Sequence, residues 1–145
     1  MEFIPIAENL EDNKAFTDNP LCQDSIYMSV NFYKKVGFTH PWICYYVQSG
    51  TELIGCAAYK GKPLNGRVEI AYGVFPQHQQ KGIGTLIAAK LVELSLQTDA
   101  SVIITARTLA EENYSTRILQ KNNFKFLGTV IDEEDGEVWE WEYIK

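Results

Sequence analysis

Val68-Glu69-Ile70-Ala71-Tyr72-Gly73-Val74-Phe75-Pro76-Gln77-His78-Gln79-Gln80-Lys81-Gly82-Ile83-Gly84-Thr85-Leu86 contains a change of period, and that change decides the fold. Up to Phe75 the run is rich in β-branched and aromatic residues and reads as a strand over 67–75. Past Pro76 the apolar residues Ile83, Leu86, Ile87, Leu91, Leu94 and Leu96 are spaced for one buried face, predicting a helix from Gly82 to about Gln97. A strand therefore passes through a glycine-containing loop directly into a helix. Several unpaired backbone N–H groups and the positive end of the helix dipole then converge on one point, which suits an anion. For a bound diphosphate, Gly82 and Gly84 leave room where a Cβ would clash, and Lys81 adds positive charge. Two other phosphate motifs fail. A dinucleotide fingerprint needs GxGxxG, and Ile87 stands at its third position; no GxxxxGK[ST] string of a P-loop occurs.

Toward the amino terminus, Trp42 to Gln48 and Leu53 to Lys60 flank Ser49-Gly50-Thr51-Glu52 and read as a hairpin. The turn signal Gly61-Lys62-Pro63-Leu64-Asn65-Gly66 joins them to the strand over 67–75, making a meander. Before the hairpin, Asp24 or Ser25 is placed to cap a helix through Ile26, Val30, Tyr33 and Val36, with Gly37 ending it. Met1 to about Asp24 is irregular by pattern. Toward the carboxyl terminus come a strand, Ser101 to Arg107, a helix, Glu111 to Asn123, with Ile118 and Leu119 inward, and a strand, Phe124 to Ile131. A turn over Asp132 to Gly136 leads to a last strand, Glu137 to Ile144, setting Val138, Trp139, Trp141 and Tyr143 against Glu140 and Glu142. Hairpins interrupted by two crossover helices predict an α/β (mixed α+β) fold, a mixed sheet with helices on both faces. One domain spans residues 1–145, with no internal repeat or low-complexity segment.

Composition narrows the function. With 46% hydrophobic and 22% charged residues, the chain is that of a globular protein able to bury one core. No apolar run approaches the roughly 20 residues that cross a bilayer, and the amino terminus is acidic where a signal peptide is basic, so the expectation is a cytoplasmic protein away from membranes. Three cysteines without CxxC spacing and two unpaired histidines predict neither a disulfide framework nor a metal site. A net charge of −6 without a basic patch argues against nucleic acid and favours a cationic acceptor, although an acidic surface also serves solubility.

In its setting between strand and helix, Gln79-Gln80-Lys81-Gly82-Ile83-Gly84 is similar to the Q/R-x-x-G-x-G/A signature of the GNAT acetyltransferases. Arg107 to Phe126, RTLAEENYSTRILQKNNFKF, resembles the second GNAT signature, where a strand leads into a helix ending at Lys-x-Gly-Phe. The resemblance covers roughly residues 40 to 143 and looks closest to the ribosomal-protein amino-terminal acetyltransferase-like subgroup, which Ser115, Ile118, Leu119, Lys121 and Phe124 match. Two positions depart: Glu112 stands where Asn is expected, with Asn113 one place later, and Asn123 stands where Gly is expected. Asn tolerates the left-handed conformation of a helix end, so the second departure is structurally mild.

The resemblance implies transfer of an acetyl group from acetyl-coenzyme A to a primary amine, a small molecule or a peptide amino terminus, with no metal. It implies a mostly antiparallel sheet splayed at the strand 67–75, the cofactor's pantetheine arm bonding there to backbone near Gly73, Val74 and Phe75. Gln79, Gln80, Lys81, Gly82, Ile83, Gly84 and Thr85 are the candidates to hold its diphosphate, and Asn113 is a further cofactor candidate. An alkyl amine with a pKa near 10 is largely protonated at pH 7, so attack on a thioester needs a base. Glu69, ten residues before Gln79 and close to where the resemblance implies a strand carboxylate that reaches water, is the candidate, with Arg67 and Ala71 on its strand face; the alternative is a solvated or Arg-paired strand residue. The family's thiolate-protonating Tyr falls at Leu119, which cannot serve, leaving Ser115 and Tyr114 as substitutes; Ser115 is alternatively a helix cap and Tyr114 surface packing. Tyr72 beside the thioester reads as a core aromatic. Trp42, Tyr45, Tyr46, Trp139 and Trp141 are available to wall an acceptor pocket, with Glu140 or Glu142 to hold a cation, although alternating aromatics are ordinarily core. The final strand reads as an exposed edge able to pair with a second copy in a homodimer. Two rivals stand beside the enzyme: a coenzyme A-binding regulatory module without turnover, and a nucleotide-binding protein with a doubly wound parallel sheet.

Overall fold

The period change at Pro76 is realised in three dimensions as a strand entering a helix through a short loop. A computed structural model describes residues 1–145. The strands are β1 (Glu2–Pro5), β2 (Cys44–Ser49), β3 (Glu52–Tyr59), β4 (Arg67–Val74), β5 (Ile103–Leu109), β6 (Phe124–Asp132) and β7 (Gly136–Tyr143). The helices are α1 (Lys14–Thr17), α2 (Gln23–Val36), α3 (Ile83–Thr98) and α4 (Tyr114–Lys121), with single 3-10 turns at Leu10–Asp12 and Pro76–His78. All seven strands form one sheet in the order β1-β2-β3-β4-β5-β7-β6, and every neighbouring pair is antiparallel except β4 with β5. That arrangement overturns the doubly wound parallel reading.

Local chemistry accounts for the hairpins. Asn65 and Gly66 take φ of 54° and 76°, the two left-handed residues of a tight turn whose twist matches that of the strands it joins. Helix α2 buries Ile26, Val30 and Tyr33 at spacings of four and three, so one stripe faces the sheet. Asn123 adopts φ 64°, the left-handed conformation expected after a helix end.

Side-chain alternation gives the sheet two covered faces. Tyr46 reaches Ser25 of α2, their hydroxyls 2.6 Å apart, and Tyr59 on β3 donates to the Leu91 carbonyl of α3 at 2.7 Å, on the opposite face. By the same alternation Arg67, Glu69, Arg107, Glu140 and Glu142 lie on the α2 face. Helix α2 does not extend over β5, β7 and β6, so this charged end of the sheet stays open.

Four expectations need correction. The first residues are not wholly irregular: β1 pairs antiparallel with β2, too short to show a period of its own. Neither Asp24 nor Ser25 caps α2; Cys22 occupies the cap position without a side-chain bond. The inward face of α3 is Gly84, Ile87, Ala88, Leu91, Val92 and Ser95, while Leu86 is largely exposed. The Trp-rich last strand is not an edge, because β7 lies between β5 and β6, and pairing with a second copy through it is blocked on both flanks.

Candidate active site

Strands β4 and β5 pair from Arg67 with Ile103 only as far as Ile70 with Ala106, although both continue, to Val74 and Leu109. The sheet is thus split beyond Ile70. The Phe75 N–H donates to the Ile54 carbonyl at 3.0 Å and the Phe75 carbonyl accepts from His78 at 2.8 Å, so the Phe75 backbone is already used. Alternation turns the Gly73 backbone toward β3 and those of Tyr72 and Val74 into the gap. The Val74 carbonyl meanwhile accepts from the Gln79 side chain at 3.1 Å. Of the three residues expected to present backbone to a cofactor, Val74 is the one that faces the opening, and Tyr72, not among the three, faces it too.

Above the gap the loop reaches α3. Gly82, at φ 77°, occupies the N-cap position in the left-handed region, and Gln80, at φ 63°, shares that conformation. The N–H groups of Gln80, Lys81, Gly82, Ile83, Gly84 and Thr85 find no backbone acceptor, more than the four that any helix start leaves free. Six donors at the positive end of a 16-residue helix, beside exposed Lys81, fit a diphosphate. Gly82 has open space where a Cβ would lie. Gly84 does not: its Cβ would stand 2.5 Å from Ile118 Cδ1 and 3.1 Å from the Tyr114 hydroxyl, so a side chain there would displace residues of α4 that pack against α3.

Helix α4 opens at the gap. Asn113 is its cap: Oδ1 accepts from the Thr116 N–H at 3.1 Å, and Thr116 Oγ1 accepts from the Asn113 N–H at 2.9 Å. Its Oδ1 is therefore committed to the helix. Ser115 lies two places into α4 and is not the cap, and Tyr114 projects its hydroxyl toward Gly84. Tyr72, whose hydroxyl donates to the Ser115 carbonyl at 3.3 Å, is pushed well above the usual phenol range by burial and then by the neighbouring Tyr114. Leu119 is completely buried, as an apolar residue at that position should be.

On the α2 face a cleft of ≈ 790 Å³ opens beside Glu69. Met28, Phe32 and Lys35 of α2 form one wall, Lys60 and Arg107 line it, and Asp132 at the end of β6 with Glu133 and Glu134 of the following turn close the far side. The Glu69 side chain is 25% exposed, accepts no hydrogen bond, and has Arg107 Nε 3.9 Å from its Oε1, beyond hydrogen-bonding distance. Burial raises its pKa above the ordinary carboxylate value; Lys60 and Arg107 oppose the rise, and Asp132 and Glu140 add to it. Arg107 instead donates to Asp132 at 2.8 Å and to Glu140 at 3.3 Å, while Arg67 lies 3.3 Å from Glu142 and 4.0 Å from Glu140. The Arg107 bond holds Asp132 below the usual range.

The expected aromatic walls are not there. Trp42, Tyr45, Tyr46 and Trp141 are buried in the core, and Trp139 packs on Phe126 with ring centroids 5.1 Å apart. None of them lines the cleft, and Glu140 and Glu142 approach it only through the arginines. Asp132, Arg107 and Lys60 gave no local signal: the first reads as a turn residue, the others as strand ends.

Residues 15–124 match the model of the acetyltransferase (GNAT) family. The chain is 29% identical over 94 residues to the uncharacterized N-acetyltransferase YjdG of Bacillus subtilis, an alignment over 64% of this chain and 53% of that protein, so only about half of the relative's length is spanned. A ribosomal-protein-alanine N-acetyltransferase from Brucella melitensis superposes with TM-score 0.68 over 100% of both chains at 15% identity. The aminoglycoside acetyltransferase AAC(6')-Ib in complex with coenzyme A superposes with TM-score 0.61 at 23% identity, over 71% of this chain and 66% of that one. No helix is long and apolar enough to cross a membrane. With the split sheet, the glycine loop and the family match covering most of its length, the chain belongs to the GNAT acetyltransferase family.

Proposed function

We propose that the protein transfers the acetyl group of acetyl-coenzyme A to a primary amine, a small molecule or a peptide amino terminus, with both substrates bound at the β4–β5 gap. The observation that carries this reading is the Glu69 carboxylate, free of hydrogen bonds and one residue before the last β4–β5 pair, with the cleft in front of it. Acetyl-coenzyme A supplies a thioester carbonyl for the amine to attack. The Gln80–Thr85 N–H groups and Lys81 hold its diphosphate, and the Tyr72 and Val74 backbones line its pantetheine arm once Gln79 releases the Val74 carbonyl. Gly73 and Asn113 flank this path. The cleft lining carries four carboxylates, Glu69, Asp132, Glu133 and Glu134, against three cations, Lys35, Lys60 and Arg107, a small excess that favours an ammonium. Glu69 takes a proton from that ammonium, directly or through water, because its raised pKa narrows the gap to the amine. Tyr114 and Ser115, at the start of α4, are the candidates to protonate the departing thiolate.

Fellow acetyltransferases that act on an aminoglycoside or a ribosomal protein support an amine acceptor without choosing one. The second reading, a coenzyme A-binding module without turnover, rests on buried Leu119 in the place of the family's Tyr. Thiol release from acetyl-coenzyme A with peptide amino termini, polyamines, amino acids and aminoglycosides separates the two. Amine-dependent release is expected; tight binding without turnover on any amine favours the second.

Binding itself has a thermal signature. At a hundredfold excess over Kd, acetyl-coenzyme A adds about 2.7 kcal/mol to stability, visible as a higher Tm. Lys81 is exposed and has no ion-pair partner, so Lys81→Glu leaves the ligand-free Tm unchanged while weakening affinity about tenfold by reversing a charge beside the diphosphate. An undiminished shift in this variant would place the diphosphate elsewhere.

A further inference from the structure

We infer that Asp132 and Glu140 are positioning residues that hold the Arg107 guanidinium at the outer limit of ion pairing with Glu69, leaving that carboxylate free of hydrogen bonds for the acceptor's ammonium. The inference rests on the reading of Glu69 as base. Arg107 sits among three carboxylates and is shared unequally. Its Nη1 donates to Asp132 at 2.8 Å and its Nε to Glu140 at 3.3 Å, while Nε stays 3.9 Å from Glu69. The bias is built by the β6–β7 hairpin. Asp132 Oδ2 accepts the N–H groups of Glu134 and Asp135 at 3.0 and 3.1 Å, which fixes the carboxylate and aims Oδ1 at the arginine. Glu140 lies opposite Arg107 in the β5–β7 register and is also drawn by Arg67. Two carboxylates from the hairpin therefore face the single one from β4.

An arginine fork closed on Glu69 would occupy its lone pairs and lower its proton affinity, spoiling it as a base twice over. The charged groups around Glu69 are Lys60 just past β3, Arg67 on its own strand, Arg107 on β5, Asp132 on β6, Glu140 on β7, and, across the cleft, Lys35 of α2 and Glu133 and Glu134 of the β6–β7 turn. Arg107 is the one whose partners decide where it points.

The test measures kcat against pH with saturating acetyl-coenzyme A and an amine that the native enzyme acetylates. Asp132→Asn keeps one oxygen as the turn's acceptor but sets an amide NH2 where Oδ1 met the guanidinium, so the bond to Arg107 is lost and Arg107 settles on Glu69. The expected result is about a tenfold lower kcat, with the acid limb of the profile displaced roughly one pH unit downward. Glu140→Gln moves the profile in the same direction. Adding Arg107→Gln to Asp132→Asn restores most of the rate, because nothing remains to occupy Glu69; a purely structural role for Asp132 would instead make the double variant worse. In a Glu69→Gln background, Asp132→Asn has no further effect on kcat. An acid limb that stays in place in Asp132→Asn, or a double variant slower than the single one, overturns the inference. Native turnover in Glu69→Gln alone overturns the base assignment itself, and is recognised before Asp132 is touched.

Discussion

Glu69→Gln lowers kcat by about 10²-fold or more at neutral pH while leaving the affinity for acetyl-coenzyme A unchanged. The amide keeps the shape of the side chain and removes the proton acceptor. No hydrogen bond is lost, since the Glu69 carboxylate accepts none, so Tm stays at the native value or rises as a half-buried charge disappears. The deficit shrinks as pH rises, because a growing share of the amine is already neutral and less depends on the carboxylate. At low pH the native enzyme loses rate as Glu69 takes up a proton, and its raised pKa brings that limb closer to neutrality than an ordinary carboxylate would. A deficit that is constant with pH and accompanied by a lower Tm would mark Glu69 as structural. Unchanged kcat throughout would leave proximity as the main source of rate.

Gly84→Val lowers stability with no ligand in solution. The loop reading reserves this glycine for a diphosphate, which would leave the unliganded fold largely intact. In the folded chain its Cβ would meet Ile118 Cδ1 at 2.5 Å and the Tyr114 hydroxyl at 3.1 Å, so the end of the buried Ile118 side chain has to shift to admit it. Overpacking of this kind costs about 1–3 kcal/mol, roughly 3–10 °C in Tm for a chain of this size. Ile118→Ala removes the atom in the way, so the double variant loses less stability than the two single losses summed. A Gly84→Val protein that melts with the native one would show that α3 and α4 pack more loosely than their contact implies.

Some of this was available to a reader of the chain alone because it is local. The switch from strand to helix at Pro76 is written in residues that are themselves neighbours. So are the turn at Asn65-Gly66 and the left-handed Asn123, where the backbone dihedrals favoured by a few side chains settle the matter. The glycine loop belongs to the same class, since its free N–H groups follow from where a helix starts. Glu69 is legible through its place on the strand that feeds that loop, where the family resemblance expects a carboxylate. Long-range pairing decided the rest. Four-residue β1 carries no pattern and exists because β2 offers an edge. The order β5-β7-β6 makes β6 the edge strand and buries Trp141, so aromatics that alternate along β7 became core rather than the wall of a pocket. Gly84 lies against residues of another helix. Arg107 and Asp132 lie 25 positions apart and meet because the β6–β7 hairpin folds back along β5. Dihedral preference acts over a few residues and is written in them, whereas strand order and the meeting of charges depend on which distant segments bury their faces together, and only the folded sheet decides that.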